Sequence, residues 1–149
     1  MALSQNGRMG KLFTPLAQDK LCLVEMTASE GLSELFEFEI HAASEDKDID
    51  LDKIIGQARR VELDCGEQGK RIYHGVMTEG DWLRNQYELA HYRLVLRPWI
   101  WLLSKNTDCR IFHDKTAIDI IRETFKLHGF SDYRLALTYE YPVLPAISR

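Results

Sequence analysis

The clearest alternation of apolar and polar residues lies in the segment LFEFEIHA, residues 35–42. Phe36, Phe38 and Ile40 fall on one side of an extended chain, and Glu37 and Glu39 fall on the other. A period of two with one polar face is typical of an antiparallel strand that rests on a core. We therefore predict a half-buried strand here.

Four further segments predict strands, at residues 20–29, 59–65, 71–80 and 87–97. Residues 66–70 and 79–86 are predicted as the turns between the later strands. In 71–80 the alternation places Ile72, His74 and Val76 on one face, and Gly75 predicts a bulge or a close backbone contact. Five or more short antiparallel strands, each with one apolar face, predict a small β-barrel or a tightly rolled sheet.

The alternation of apolar and polar residues, typical of strands, gives way to a helical spacing after Pro98. Residues 115–129 predict a helix, because Thr116 and Asp119 have the spacing of a capping box and Gly129 provides a stop. Residues 132–141 predict a following strand. The expected buried stripe of the helix is Ala117, Ile118, Ile121 and Phe125.

These patterns predict a mainly β chain with an α+β extension. We expect a first β-barrel domain at residues 1–98 and the start of a helix-containing α/β unit at residues 99–149. The apolar end of the chain, at 142–149, has no obvious packing partner, so we expect this second unit to be truncated.

The stretch YRLVLRPWIWLL, residues 92–103, carries an unusual amount of apolar area after a proline. Pro98 cannot donate to a sheet ladder, so the strand is expected to end there. The rings of Trp99 and Trp101 represent on the order of 10 kcal/mol of hydrophobic driving force, at about 200 Å² each. The β domain, the helix at 116–128 or another subunit must cover them. A membrane segment is excluded, because the apolar run after Pro98 is far shorter than a bilayer requires.

The charge and the cysteine content of the chain argue against several classes of protein. The chain has 149 residues, a net charge of −4 and only scattered basic residues, which argues against nucleic-acid binding. Three cysteines without a CxxC pair suggest neither a disulfide framework nor a zinc site. The first residues hold no apolar run long enough for a signal sequence.

Few residues in the sequence have the spacing of a metal-binding or catalytic site. Asp48, Asp50 and Asp52 resemble the start of a calcium loop, but Lys53 and Arg59 stand where that loop needs a glycine and a closing carboxylate.

The five histidines are dispersed, although His74 and His91 could face each other on neighbouring strands. Glu37 and Glu39 share a strand face and could form an acid/base pair, yet solubility or partner contacts are the favoured interpretation. We therefore predict no catalytic residue, no metal, no cofactor and no enzymatic activity.

Taken together, YHGVMTEG (73–80), YRLVLRPWIWLL (92–103) and CRIFHDKTAIDIIRETFKLHG (109–129) resemble the N-terminal part of the VgrG / Rhs-element Vgr family, over roughly residues 20–135. These are the spike proteins of the type VI secretion system. The residues that carry the resemblance, and to which we assign structural roles, are His74, Gly75, Arg97, Pro98, Trp99, Trp101, Arg110 and Phe112.

The resemblance implies a structural hub region that trimerises and docks on a hexameric inner tube, with baseplate and effector proteins as further partners. It also implies assembly in the cytoplasm, followed by secretion through the type VI system without a signal peptide and without membrane insertion by this segment. The second barrel and the spike of the family have no counterpart in this sequence. A phage-like tail baseplate hub is the alternative, and a hydrolase domain is less favoured because no nucleophile and base are found.

Overall fold

Two separate sheets organise the chain in the computed structural model, which describes residues 3–107 and 109–148. The first sheet belongs to a unit spanning Met1–Lys105, and the second belongs to a unit spanning Asn106–Arg149. The domain boundary expected at residue 98 stays a prediction.

Within the described residues, the first unit is a six-stranded antiparallel sheet in the order β1-β4-β5-β6-β3-β2. The sheet is curled like part of a barrel, so the prediction of a mainly β chain with a rolled antiparallel sheet is confirmed. The strands are β1 (Gly10–Phe13), β2 (Cys22–Ser29), β3 (Glu37–Ser44), β4 (Ala58–Asp64), β5 (Lys70–Gln86) and β6 (Leu89–Arg97).

The inner face of the curled sheet holds the core. Phe38 and Ile40 of β3 are buried there, as the alternation predicts, and they pair with Leu96 and Leu94 of β6. Residues directly opposite on neighbouring strands share a face, so each buried pair extends the same apolar layer. The core also contains Leu12, Leu21, Val61, Tyr73, Met77, Ile54 and Tyr92.

The turn predicted at residues 79–86 is wrong, because β5 continues through it to Gln86. The chain reverses instead at Tyr87 and Glu88, both with positive φ (49° and 66°), between the paired residues Gln86 and Leu89. A two-residue hairpin loop of type I′ has positive φ at both central positions. Neither residue is a glycine, which explains why composition pointed to the wrong segment.

The apolar face of β5 is also the opposite of the expected one. Ile72 is 58% exposed, and His74 is exposed as well, whereas Tyr73 and Met77 are buried. Tyr73 pairs with the fully buried Val61 of β4. Both faces of this strand carry apolar residues, so the register with β4 decides which face turns inward.

Gly75 lies in the close contact that its position predicted. A Cβ atom at residue 75 would stand 2.8 Å from the carbonyl oxygen of Arg97 and 3.2 Å from the ring of Phe36. Residue 75 therefore accepts no side chain unless the backbone of β6 shifts.

The second unit contains β7 (Ile111–Thr116), α1 (Ala117–Leu127) and β8 (Val143–Ser148), with β7 and β8 paired antiparallel. The capping box is confirmed: the Thr116 hydroxyl accepts from the Asp119 N–H, and the Asp119 carboxylate accepts from the Thr116 N–H. Gly129 adopts a φ of 75° just after the helix, as a helix stop requires.

Two expectations for this unit are wrong. The strand lies at Val143–Ser148 instead of 132–141, since the described part of β7 pairs with the later segment. The stripe of α1 is also not buried: Ala117 and Ile121 are exposed, and Ile118 and Phe125 are only partly covered. A two-stranded sheet offers too little area to bury a whole helix face.

We expect Gly75→Ala to lower the free energy of unfolding by about 1–3 kcal/mol, because the new methyl group must push against backbone. Urea denaturation followed by circular dichroism measures this. Gly31→Ala is the matched control, since the nearest atoms to its new methyl all belong to the flexible side chain of Glu34 and not to backbone. Equal stability of the two variants would contradict the close contact.

Candidate functional site

The outer face of the curled sheet carries an ordered set of opposite charges across β3, β6 and β5. Arg93 and Arg97 lie on the middle strand, β6, and carboxylates flank them on both neighbours. We call this set the charged face. Its members are Glu37, Glu39, Glu79, Asp81, Arg93 and Arg97.

Arg97 ends β6 and is only 9% exposed. Its Nε donates to Glu37 Oε2 at 2.7 Å, and its Nη1 donates to Glu79 Oε1 at 2.6 Å and to Thr78 Oγ1 at 2.9 Å. The fork of the guanidinium thus joins β3 to β5 across the strand between them. Lysine, as a single point charge, does not reproduce this geometry.

Arg93, four residues before Arg97 on β6, makes the same kind of contacts. Its Nε donates to Glu39 Oε2 at 2.8 Å, and its Nη1 donates to Glu79 Oε2 and Asp81 Oδ2, both at 3.2 Å. Glu79 therefore receives both arginines, one on each carboxylate oxygen. The two ion-pair groups form one connected network.

Val95 lies between the two arginines on the same side of β6, and it is fully buried. Its register partners are Glu39 and Glu79. Because arginine stems bury along apolar surface while their charged ends reach water, we infer that the network covers Val95 from outside. The outer face is thus partly closed to solvent.

The charges shift one another's pKa values. The hydrogen bond from Arg93 lowers the pKa of Glu39, and the hydrogen bond from Arg97 lowers the pKa of Glu79 against the opposing effect of burial. Hydrogen bonds to Glu39 and Glu79 raise the pKa of Arg93. Burial alone would lower the pKa of Arg97, but its hydrogen bonds to Glu79 and Glu37 outweigh burial and raise it. Each group is held in its charged form.

The stretch after Pro98 forms a 3-10 helix, Trp99–Lys105, in which the Trp101 N–H donates to the Pro98 carbonyl at 2.9 Å. The Arg97 guanidinium lies 4.5 Å from the centre of the Trp101 ring, and the Lys105 ammonium lies 4.6 Å from it. Cations over an indole face are attracted by the ring quadrupole. Residues of its own unit therefore cover part of Trp101, and both tryptophans are half-buried.

The residues that carry the family resemblance fall into two groups. Gly75, Arg97, Pro98 and Trp101 meet where β5 and β6 lie side by side, through the contacts of Arg97. His74 is exposed beside Gly75, and Trp99 opens the 3-10 helix.

Arg110 and Phe112 belong to the second unit, where Arg110 is exposed and Phe112 is buried in β7. The structural roles assigned to the residues of both groups stay predictions.

The possible pairing of His74 with His91 is wrong. His74 is opposite Arg60 of β4, whereas His91 lies between Ala43 and Arg84 near the other end of β6. Within residues 3–107 and 109–148, no group of three or more histidine, cysteine or acidic side chains is placed to hold a metal ion.

Glu37 and Glu39 share a face, as the alternation predicts, but each carboxylate is ion-paired with an arginine. The hydrogen bond from Arg93 lowers the pKa of Glu39, so Glu39 is a poor proton donor for an acid/base pair. The sequence did not point to Glu79, Asp81 or Arg93. The available signals were the alternation of Glu79 and Asp81 in an uninterrupted strand 70–86 and the alternation of Arg93 with Arg97 in the next strand.

No helix in the part of the chain that the structure describes is long and apolar enough to span a membrane.

The described residues of the first unit thus form a rolled antiparallel sheet with an ion-paired outer face. A family model described as the phage tail baseplate hub (GPD) matches residues 29–147. The chain belongs to that family. The resemblance to type VI spike proteins found in the sequence is confirmed by the relatives.

The chain is 35% identical over 141 residues to the type VI secretion system spike protein VgrG1b of Pseudomonas aeruginosa, a match that covers 95% of the chain and 19% of that protein. It is 34% identical over 134 residues to the spike protein VgrG1a of the same organism, with 90% of the chain and 21% of that protein covered. The chain thus spans about a fifth of the length of these relatives.

Among solved structures, the fold is similar to that of the E. coli c3393 protein, described as a type VI secretion system component with structural similarity to the phage T4 tail proteins gp27 and gp5. The TM-score is 0.67 at 22% identity, over 87% of this chain and 38% of that chain. At this identity the likeness supports the fold alone.

We expect Arg97→Ala to lower the free energy of unfolding by about 1–3 kcal/mol, because it removes charge-assisted hydrogen bonds from a buried position. Arg97→Lys should recover only part of this loss, since one ammonium does not span β3 and β5. Urea denaturation measures both. Arg84→Ala, at an exposed position of β5, is the control and should change little; a full recovery by lysine would contradict the bridging role.

We expect stability to fall as the pH is lowered below about 4.5, the ordinary pKa of glutamate. The depressed pKa values of Glu39 and Glu79 mean that the folded state binds fewer protons than the unfolded state. Their contribution is therefore complete above that pH and is lost as the pH falls through the folded pKa values.

The double variant Glu39→Gln/Glu79→Gln should be less stable at neutral pH and should show a flatter acid dependence. Thermal unfolding between pH 3 and pH 7 (roughly the window that a depressed carboxyl pKa defines) tests this. Glu67→Gln, in the exposed turn between β4 and β5, serves as the control for the charge change. Parallel profiles for the wild type and the double variant would refute the assignment.

Proposed function

We propose that the chain is the hub region of a type VI secretion spike protein, a structural module without enzymatic activity. The observation that carries this proposal is the identity of 33–35% with three spike proteins over nine-tenths or more of the chain. The match of residues 29–147 to the phage tail baseplate hub supports the same interpretation.

In this proposal the hub trimerises and docks on a hexameric inner tube. Exposed apolar side chains at two opposite ends of the sheet support contacts with other proteins. At one end, in the β2–β3 connection, Leu32 is 99% exposed. At the other end, in the β5–β6 hairpin, Tyr87 is 88% exposed and Trp82 is exposed too.

The ends are opposite because β3 and β6 are antiparallel. Phe38 pairs with Leu96 near the β2–β3 connection, while Ser44 pairs with Ala90 near the β5–β6 hairpin. A module that is stacked between two others needs a contact surface at each end. The arrangement fits a hub placed between a tube and the rest of a spike.

The further partners in this proposal are baseplate and effector proteins, with neither nucleic acid nor membrane insertion by this segment. The protein would assemble in the cytoplasm and leave through the type VI system without a signal peptide. The absence of enzymatic activity is supported by the charged face, where ion pairing holds Glu39 and Glu79 as carboxylates.

A phage-like tail baseplate hub is the second candidate, favoured by the description of the family model. The two candidates share the fold and differ in the tube protein that the hub contacts. A hydrolase domain is less favoured, because the resemblance points to structural roles.

We expect the natural protein that carries this sequence to be a trimer and to co-elute with a hexameric type VI tube protein. Size-exclusion chromatography with light scattering measures both masses. Leu32→Asp and Tyr87→Asp should each leave the fold intact, and at least one should abolish tube binding.

Thr27→Asp, at an exposed position between the two ends of the sheet, is the matched control and should leave tube binding unchanged. A monomer that does not bind the tube would refute the proposal. Binding to a phage tail tube protein in place of the type VI tube would favour the second candidate.

A further inference from the structure

The curled sheet brings its two edge strands together. In the strand order, β1 and β2 stand at the opposite ends of the six-stranded sheet, and no ladder joins them within the described residues. They nevertheless approach closely, because a Cβ atom at Gly10 of β1 would collide with the side chain of Leu23 of β2. The sheet has a seam between β1 and β2.

One buried side chain bridges this seam. Gln5, 8% exposed, accepts hydrogen bonds at its Oε1 from the Leu12 N–H of β1 at 2.7 Å and from the Leu23 N–H of β2 at 3.2 Å. Its Nε2 donates to the Leu12 carbonyl at 3.2 Å. An amide side chain has both acceptor and donor capacity, so it satisfies backbone groups that a strand ladder would otherwise pair.

The segment around Gln5, residues 3–8, is tied down on both sides of the seam; we call it the strap. The Asp19 carboxylate accepts from the Gln5 N–H at 3.1 Å and from the Ser4 hydroxyl at 2.9 Å. Arg8 Nη1 donates to the Leu23 carbonyl of β2 at 3.3 Å. The strap is therefore held by polar contacts at several points.

We propose that the strap is a latch that closes the seam, and that it opens without unfolding of the sheet. The contacts of Gln5 and Ser4 are hydrogen bonds, whereas β3, β5 and β6 are held by the apolar core. Segments held by few apolar contacts open at lower free energy than the core around them.

Opening of the strap would remove the hydrogen-bond partner of backbone groups on both edge strands. Release of Gln5 leaves the Leu12 N–H, the Leu12 carbonyl and the Leu23 N–H without this partner. Unpaired groups along a strand edge are a template for the addition of another strand. The latch thus controls whether the edges β1 and β2 are available for strand pairing, which is independent of the docking ends proposed above.

Amide hydrogen exchange of the chain, resolved at single residues by NMR, tests the latch. Gln5→Ala should accelerate exchange of the Leu12 and Leu23 amides by about tenfold, the effect of one lost hydrogen bond. Exchange of the Ile40 and Leu94 amides, in the core strands, should stay at the wild-type rate. Gln86→Ala, in the exposed β5–β6 hairpin, is the matched control.

Ser4→Ala removes a contact of the strap outside the seam and provides a milder variant. It should accelerate exchange of the same two amides to a smaller extent. Equal acceleration of all four amides by Gln5→Ala would show global unfolding and overturn the latch. Unchanged exchange at Leu12 and Leu23 in both variants would overturn it as well.

Discussion

The pairing of β6 with neighbours on both sides is the constraint on which the first unit depends. Leu94 and Leu96 of β6 face the core, while Arg93 and Arg97 face outward between the carboxylates of β3 and β5. A shift of one residue in either register would place guanidinium groups in the core and leucines in water. The apolar core and the charged face therefore specify the same register, and each makes the other possible.

Arg97 also explains why a proline and two tryptophans follow a strand. Pro98 has no N–H, so the ladder ends at Arg97 and the chain turns into a 3-10 helix. That turn brings the centre of the Trp101 ring to 4.5 Å from the Arg97 guanidinium. The close approach of Gly75 to the Arg97 carbonyl fixes the backbone at the same point. The apolar stretch therefore packs, through Trp101, against the end of β6.

The features that the sequence predicted are those that local periodicity decides. The strand with Phe38 and Ile40 and the capping box of α1 are specified by neighbours within a few residues. The face of β5, the true position of β8 and the ion pairs of Glu79 and Asp81 depend on which distant strand is the partner, and that information is not local. Half of the charged face, namely Glu79, Asp81 and Arg93, was therefore missed. Glu37 and Glu39 were found from the alternation, and Arg97 was singled out through the family resemblance. Gln5 was missed for the same reason: its partners belong to two strands that meet only after the sheet curls.

The use of both faces of the sheet limits where partners can bind. The inner face is filled by the core, and on the outer face each of the four carboxylates is ion-paired with one of the two arginines. A partner that displaced these ion pairs would have to desolvate the carboxylates and guanidinium groups that it separated, which is costly. Leu32 and Tyr87, at the ends of the sheet, carry no charge and present large hydrophobic groups that are already exposed to water. Burial of such side chains is favourable, so the ends are the surfaces at which assembly gains the most. A module of this kind is suited to stacking end to end, which is the geometry that the proposed function requires.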